Sequence, residues 1–120
     1  MTESEAGSDL VRLRAEARRD GDFYVVNGSK TFISNGQIAD LFVVAVRTDA
    51  GAESPHRGIS LLLVEASSPG FARGRNLRKI GLHAQDTSEI FFENCRVPAG
   101  CLIGREGEGF KYLMENLQHE

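Results

Sequence analysis

The sequence predicts an all-β fold, a β-barrel of about seven short antiparallel strands followed by the start of a C-terminal α-helix. Several segments alternate apolar and polar residues or run apolar throughout, as strands do. Thirteen of the 120 residues are glycine and are spread along the chain, which indicates many turns. Only the last segment has a helical period. We therefore assign residues 1–106 to a β-domain and residues 107–120 to the first helix of a following domain.

The first predicted strands are separated by turn sequences. Residues 11–17 alternate apolar and charged side chains, the period of a strand with one solvent-exposed face. Residues 19–22 have the composition of a turn, and aromatic and β-branched residues follow at 23–26. Asn-Gly at 27–28 is the pair that most favours a two-residue hairpin turn. The sequence therefore predicts a hairpin there, with residues 29–34 as the returning strand.

The remaining strands are predicted from apolar runs between polar loops. The unbroken apolar run within residues 41–47 predicts a central strand buried on both faces, and residues 48–57 have the composition of a loop. The later predicted strands are residues 59–65, 71–75, 88–92 and 95–97.

The end of the chain changes period. Phe110, Leu113, Met114 and Leu117 recur at i, i+3, i+4 and i+7, which predicts an amphipathic helix that begins near Glu108. The apolar face of such a helix needs a partner, and no stop signal follows it. We interpret the chain as cut within this helix.

Composition excludes some function classes. The net charge of −3 disfavours a generally basic nucleic-acid binder. The longest apolar run is far shorter than the roughly 20 residues that span a bilayer, so no membrane span is expected. The acidic N-terminus lacks the pattern of a secretory signal, and a cytoplasmic location is expected. Two cysteines and three histidines without metal-ligand spacing predict no metal site.

Three features of the sequence have residue types that occur in binding or catalytic sites. The loop of residues 2–9 combines hydroxyls with Gly7 and either cradles an anion or forms a solvated turn. The basic cluster at residues 73–79 either contacts phosphates or is a solvated strand edge. Glu120 lies at the edge of the apolar face of the helix and is either an exposed acid or a desolvated base.

Three segments resemble the ordered motifs of one enzyme family. Residues 1–9 read MTESEAGSD and residues 27–36 read NGSKTFISNG. The third set comprises GLHAQDTSE at 81–89, VP at 97–98 and GEGF at 107–110. In order and spacing these segments resemble the signatures of the acyl-CoA dehydrogenases, particularly the long-chain and isovaleryl-type branch.

The resemblance implies a middle β-barrel domain between an N-terminal helical domain and a C-terminal four-helix bundle. On this interpretation the chain is a fragment, and we expect it to be inactive alone. The family consists of FAD-dependent oxidoreductases of fatty acid metabolism that convert an acyl-CoA thioester into the trans-2-enoyl-CoA. Electron-transfer flavoprotein then reoxidises the FAD. The complete protein is expected to form a homo-oligomer, a tetramer.

The resemblance also implies site residues by position. The implied FAD contacts are Met1, Thr2, Gly7, Ser8, Phe32, Ile33 and Ser34. The implied acyl-CoA contacts are Ser8, His56, Arg57, Gln118 and His119. Glu120 aligns with the catalytic base of the long-chain and isovaleryl branch.

Some residues depart from the family pattern. Ser4 and Glu5 stand where relatives carry Pro and Gly, so Glu5 either weakens pyrophosphate binding or points outward. Near the base, Gln118 replaces Pro and His119 replaces Gln. In other branches the base lies farther along the chain, so a base beyond residue 120 stays an alternative to Glu120.

Two further function classes stay open on the sequence alone. The first is a related flavoenzyme, an acyl-CoA oxidase or a nitroalkane-oxidase-like protein. The second is a non-catalytic β-barrel binding module that uses the basic cluster at residues 73–79.

Overall fold

The computed structural model describes residues 1–117 and contains seven strands and one α-helix among them. The strands are β1 (Glu16–Asp20), β2 (Phe23–Ser34), β3 (Leu41–Arg47), β4 (Ile59–Glu65), β5 (Phe71–Asn76), β6 (Thr87–Pro98) and β7 (Leu102–Ile103). The helix α1 spans Gly109–Leu117, and short 3-10 helices span Leu10–Arg12, Pro55–Gly58 and Ala99–Cys101. None of these helices is long and apolar enough to cross a membrane.

All seven strands belong to one sheet, in the order β5-β6-β2-β1-β3-β4-β7. Neighbouring strands are antiparallel except β1 and β3, which are parallel and share the single pair Glu16 and Arg47. The predicted mostly-β fold of seven strands and a terminal helix is confirmed. The sheet is not closed, because β5 and β7 form its two edges without pairing with each other, so the word barrel describes it only loosely.

The predicted hairpin at Asn27-Gly28 is wrong. Strand β2 continues through these residues, and its pairing with β6 shifts register between Val26 and Gly28. This is a β-bulge, which inserts an extra residue without reversing the chain. The Oδ1 of Asn27 accepts a hydrogen bond from the backbone N–H of Asn94 on β6 at 2.8 Å. The glycine is needed for the close approach of Ala15, which directly precedes β1, rather than for a turn.

Strand β3 is buried on both faces only in its second half. Residues 44–46 are buried, whereas Leu41 and Val43 are 51% and 55% exposed. The prediction of a strand buried throughout is therefore wrong for its first half. The reason is that the second core cluster covers only the later residues of this face, through Ala45.

The other strand predictions need small corrections. Strand β1 begins at Glu16, and the first two residues of the predicted strand, Val11 and Arg12, lie in the 3-10 helix Leu10–Arg12. The alternation itself holds, since Leu13, Ala15 and Ala17 are buried. The two segments predicted at 88–92 and 95–97 form the single strand β6.

Two core clusters lie on the sheet. The larger contains Tyr24, Val26, Val44, Leu62, Ile90 and Val97 among its buried members. The smaller is formed by Ala6, Leu13, Ala45, Ile59 and Leu61, with Phe110, Tyr112 and Leu113 of α1 packed against it. The helix and the N-terminal loop therefore meet over the same small cluster, and this meeting places the candidate site.

Candidate flavin site

The N-terminal loop folds back on itself through a short bridge. The N–H of Glu3 donates to the carbonyl of Ala6 at 3.0 Å, and the N–H of Ala6 donates to the carbonyl of Glu3 at 3.2 Å. Ala6 is fully buried in the smaller core cluster. Anchored in this way, the loop presents Gly7 and Ser8 to solvent.

A cavity of about 350 Å³ lies between this loop and α1. Four of the residues predicted to contact FAD line it together with apolar side chains of the loop and the helix. Its lining residues are Met1, Thr2, Gly7, Ser8, Leu10, Phe110 and Met114. The structure thus brings the loop half of the predicted site together, with hydroxyls on one side and the apolar face of α1 on the other.

The second half of the predicted site is a β-bulge in β2. The pairing of β2 with β6 shifts register between Lys30 and Ile33, and Phe32 adopts a φ of +56°. A positive φ is costly for a bulky residue and marks a position that its surroundings hold in place. The bulge leaves the Phe32 ring 65% exposed, and Ser34 at the strand end is also exposed.

The two halves are joined by backbone and side chains. The N–H of Thr31 donates to the carbonyl of Thr2 at 2.9 Å. Below this contact, the Nζ of Lys30 lies 2.7 Å from the Oε1 of Glu3, and the two residues are only 2% and 8% exposed. Burial lowers the pKa of Lys30, and its hydrogen bond and attraction to Glu3 oppose that shift.

The loop fits a phosphate-bearing group. Within residues 1–117, the N–H groups of Gly7 and Ser8 are bonded to no backbone carbonyl, and a Cβ added at Gly7 would meet no atom within 4 Å. Successive free N–H groups beside hydroxyls suit phosphate oxygens. The side chain of Glu5 does not oppose this, because its Oε2 pairs with the Arg14 guanidinium at 2.6 Å, and both side chains are exposed. Of the two alternatives for Glu5, the structure supports the outward orientation.

The predicted acyl-CoA contacts lie near the cavity as far as the structure describes them. The His56 ring stands 4.3 Å, centroid to centroid, from the ring of Phe110, which lines the cavity. Arg57 is exposed in the same 3-10 helix. Gln118, His119 and Glu120 lie outside the described residues.

Two of the four basic residues in the cluster at residues 73–79 form hydrogen bonds within the chain. Arg73 donates to the carbonyls of Gly36 and Ala39 at 3.1 and 2.7 Å. Lys79 donates to the carbonyl of Gln85. These bonds give Arg73 and Lys79 a structural role in holding the neighbouring loops.

Two residues of the site were missed by reasoning from the sequence. Glu3 and Lys30 belong to the quoted motifs, but neither was given a role. A charged residue in a strand is normally assigned to the exposed face. The available signal was the alternation of β2. Lys30 lies an even number of residues after Tyr24 and Val26, so it is on the same inward face of the strand as these two buried residues.

Comparisons with known proteins find similar sequences and a matching family model. Residues 1–95 match the family model described as acyl-CoA dehydrogenase, middle domain. The chain is 52% identical over 120 residues to the long-chain specific acyl-CoA dehydrogenase, mitochondrial, of Sus scrofa, and 40% identical over 120 residues to the isovaleryl-CoA dehydrogenase, mitochondrial, of Pongo abelii. In both comparisons the match covers 100% of this chain and 28% of the relative.

A solved structure is also similar. The crystal structure of acyl-CoA dehydrogenase from Geobacillus kaustophilus superposes with a TM-score of 0.96 at 63% identity. The match covers 98% of this chain and 31% of that one. The chain therefore spans less than a third of the length of the relatives it matches.

Proposed function

The chain belongs to the acyl-CoA dehydrogenase family, and we propose on this basis that it is the middle domain of an FAD-dependent acyl-CoA dehydrogenase. In this role residues 1–106 form the β-domain, and residues 107–120 begin the helix that leads into the next domain. The domain supplies flavin and acyl-CoA contacts for α,β-dehydrogenation of an acyl-CoA thioester.

One observation carries the proposal. The anion-cradling loop and the exposed aromatic bulge, which are far apart in the sequence, lie side by side through the bond between Thr31 and Thr2. A flavin nucleotide has an anionic pyrophosphate and a flat aromatic ring system, and it needs both kinds of surface at once. The free N–H groups at residues 7–8 suit the first, and the ring of Phe32 suits the second.

Each residue has a distinct role in this proposal. Thr2, Gly7 and Ser8 donate hydrogen bonds to the pyrophosphate and its surroundings. Phe32 lies along the ring system, and Ser34 donates a hydrogen bond to it where negative charge develops. When bound, FAD supplies the acceptor for the hydride that leaves the β-carbon of the thioester.

The substrate side uses the last helix and the 3-10 helix before β4. We place the α-proton acceptor at Glu120, whose carboxylate serves as the general base. Ser8, His56, Arg57, Gln118 and His119 contact the acyl-CoA. The contact between the His56 and Phe110 rings, which are tilted by 45° to each other, supports a position for His56 at the mouth of the cavity.

The remaining parts of the proposal concern partners and location. Electron-transfer flavoprotein is the proposed oxidant of the reduced enzyme. The complete protein is proposed to be a tetramer with helical domains on both sides of this one, and to work in the cytoplasm. Membership of the family supports the oxidant, the tetramer and the helical domains. The cytoplasmic location is proposed from the sequence alone, whereas the relatives named above from Sus scrofa and Pongo abelii are mitochondrial.

The test is anaerobic reduction of the complete enzyme by a saturated acyl-CoA. We expect the visible absorbance of FAD to bleach and trans-2-enoyl-CoA to form in equal amount. Ser34→Ala should slow the bleaching by about tenfold or more, because a hydrogen bond to developing charge is lost. Ser29→Ala, an exposed serine on the same strand, is the matched control and should bleach at the unmodified rate.

Enzyme that binds FAD but is bleached by no acyl-CoA would contradict the proposed reaction. Admission of oxygen after reduction then separates two versions of the proposal. Slow reoxidation by oxygen and rapid reoxidation by electron-transfer flavoprotein identify a dehydrogenase, and the reverse identifies an oxidase.

A further inference from the structure

We propose that Glu3 and Lys30 are positioning residues that fix the N-terminal loop relative to the Phe32 bulge and thereby set the geometry of the flavin site. The inference rests on the proposed function and adds a role for a pair that contacts neither flavin nor substrate directly. It is carried by the geometry of a buried ion pair between the two halves of the site.

The ammonium of Lys30 is fully satisfied by three acceptors, two in the N-terminal loop and one on β3. Its Nζ donates to the Oε1 of Glu3 at 2.7 Å, to the carbonyl of Ala45 on β3 at 2.5 Å and to the carbonyl of Met1 at 3.3 Å. An ammonium has three N–H donors, so each of them has an acceptor. Lys30 therefore ties β2 to the loop and to β3 at once.

The carboxylate of Glu3 is held just as completely. Its Oε1 also accepts from the N–H of Ala15 at 3.0 Å, and its Oε2 accepts from the N–H of Arg14 at 2.7 Å. Among the described residues no buried side-chain nitrogen or oxygen lacks a hydrogen-bond partner. The pair thus takes part in five hydrogen bonds, each of which requires a defined direction. A shift of the loop along β2 would break several of them together.

The position of the pair in the sequence links it to the site. Glu3 directly follows Thr2, which lines the cavity, and Lys30 lies two residues before the strained, exposed Phe32. Displacement of either charged group would move one half of the site against the other. Binding sites need their contacting groups held to within about 0.5 Å by surrounding residues.

Stability alone does not account for such a pair. Desolvation of two charges offsets much of their attraction, and apolar residues of similar volume often stabilise a fold equally well. An apolar pair would not fix the position of the loop as strictly, because apolar packing tolerates small shifts that would break hydrogen bonds. The structure therefore predicts that fold stability and flavin binding respond differently when the pair is replaced.

The experiment compares three variants of the complete enzyme. Glu3→Gln leaves the Lys30 ammonium without its counter-charge. Lys30→Met leaves the buried Glu3 carboxylate without its counter-charge. The double variant Glu3→Gln/Lys30→Met removes both charges. Tyr24→Phe is the control for a purely structural loss, because it removes a partly buried hydrogen bond to Glu106 away from the loop. For each variant the FAD dissociation constant, the flavin reduction potential and the melting temperature of the apoprotein are measured.

We expect the single variants to weaken FAD binding by about tenfold or more and to shift the reduction potential. The double variant should regain most of the lost melting temperature while FAD binding stays weak. Tyr24→Phe should lower the melting temperature with no change in FAD affinity or potential. Where a single variant does not fold, the double variant alone still separates stability from binding.

Two results would overturn the inference. In one, the double variant restores FAD affinity together with the melting temperature, which would make the pair a fold determinant only. In the other, the single variants bind FAD with unchanged affinity and potential. If the unmodified enzyme binds no FAD, it is the proposed function that fails, and this role fails with it.

Discussion

Gly28 of β2 lies so close to Ala15, the residue directly before β1, that a Cβ added to Gly28 would stand 2.7 Å from the Cα of Ala15. Its φ of +134° is also a conformation that residues with side chains rarely adopt. The glycine thus permits a close approach of two strands within a β-bulge. The same bulge shifts the register of β2 against β6 before the strand reaches the flavin site.

Substitution of Gly28 therefore tests this approach. We expect Gly28→Ala to lower the free energy of unfolding by about 3 kcal/mol or more, because backbone strain and overpacking add. Gly21→Ala is the matched control: its φ is +59°, but an added Cβ meets nothing within 4 Å, so only about 1 kcal/mol is expected. Equal losses in denaturant unfolding would show that the contact with Ala15 contributes nothing.

The environment of Tyr24 predicts that the fold loses stability at alkaline pH. Burial, and next its hydrogen bond to Glu106, raise the pKa of this phenol above 10.0. A group with a raised folded-state pKa stabilises the fold below its unfolded value and loses that effect as pH rises through the folded value. The difference in unfolding free energy between the unmodified protein and Tyr24→Phe should shrink above pH 10.

The test compares the unmodified protein with Tyr24→Phe because Lys30 changes the unfolding free energy with pH in the opposite direction. Its pKa is lowered by burial, so its own contribution rises with pH up to the unfolded value of 10.5. That contribution is common to both proteins and cancels in the difference. A difference that stays constant or grows above pH 10 would be inconsistent with a raised Tyr24 pKa.

The two cysteines should differ in reactivity. Cys95 is fully buried, and burial raises the pKa of its thiol, whereas Cys101 is only partly buried. Since the thiolate is the nucleophile, iodoacetamide should modify Cys101 in the folded protein well before Cys95. Mass spectrometry of the alkylated peptides measures both rates, and comparable rates in the folded state would contradict the burial of Cys95. Full modification of both in denaturant is the control.

The proposed base can be tested by one substitution in the complete enzyme. Glu120→Gln should abolish α-proton abstraction, slowing flavin reduction by a factor of at least about a hundred, while FAD stays bound. The isosteric amide keeps the volume of the side chain, so FAD affinity serves as the control. Undiminished reduction would place the base beyond residue 120.

The strand pattern was readable from sequence because it depends on local periodicity. The bounds of β3 and β4 match the predicted segments, and the turn at residues 19–22 falls where β1 meets β2. The hairpin at Asn27-Gly28 failed because its residues fit two structures. A positive φ serves a bulge as well as a turn, and the approach of Ala15 that decides between them is not local.

Part of the candidate site was also predictable from the sequence and part was not. The motifs predicted a flavin loop at residues 1–9 and a ring-contacting segment at residues 32–34, and the structure places the two segments side by side. The burial of Lys30 was not predictable from composition, because an isolated strand lysine is normally solvated. Its acceptors come from the loop and from β3, and only the tertiary fold brings them together.

The proposed flavin site combines the N-terminal loop with the Phe32 bulge, and the FAD affinity of variants in the bulge measures whether it does. Phe32 and Phe91 are both exposed phenylalanines in strands, at 65% and 43%, but only Phe32 lies in the proposed site. In the complete enzyme, Phe32→Leu should weaken FAD binding by about tenfold or more, through loss of contact between aromatic rings. Phe91→Leu should leave the FAD dissociation constant unchanged. Equal FAD affinities in the two variants and the unmodified enzyme would show that the Phe32 bulge is not part of a flavin site.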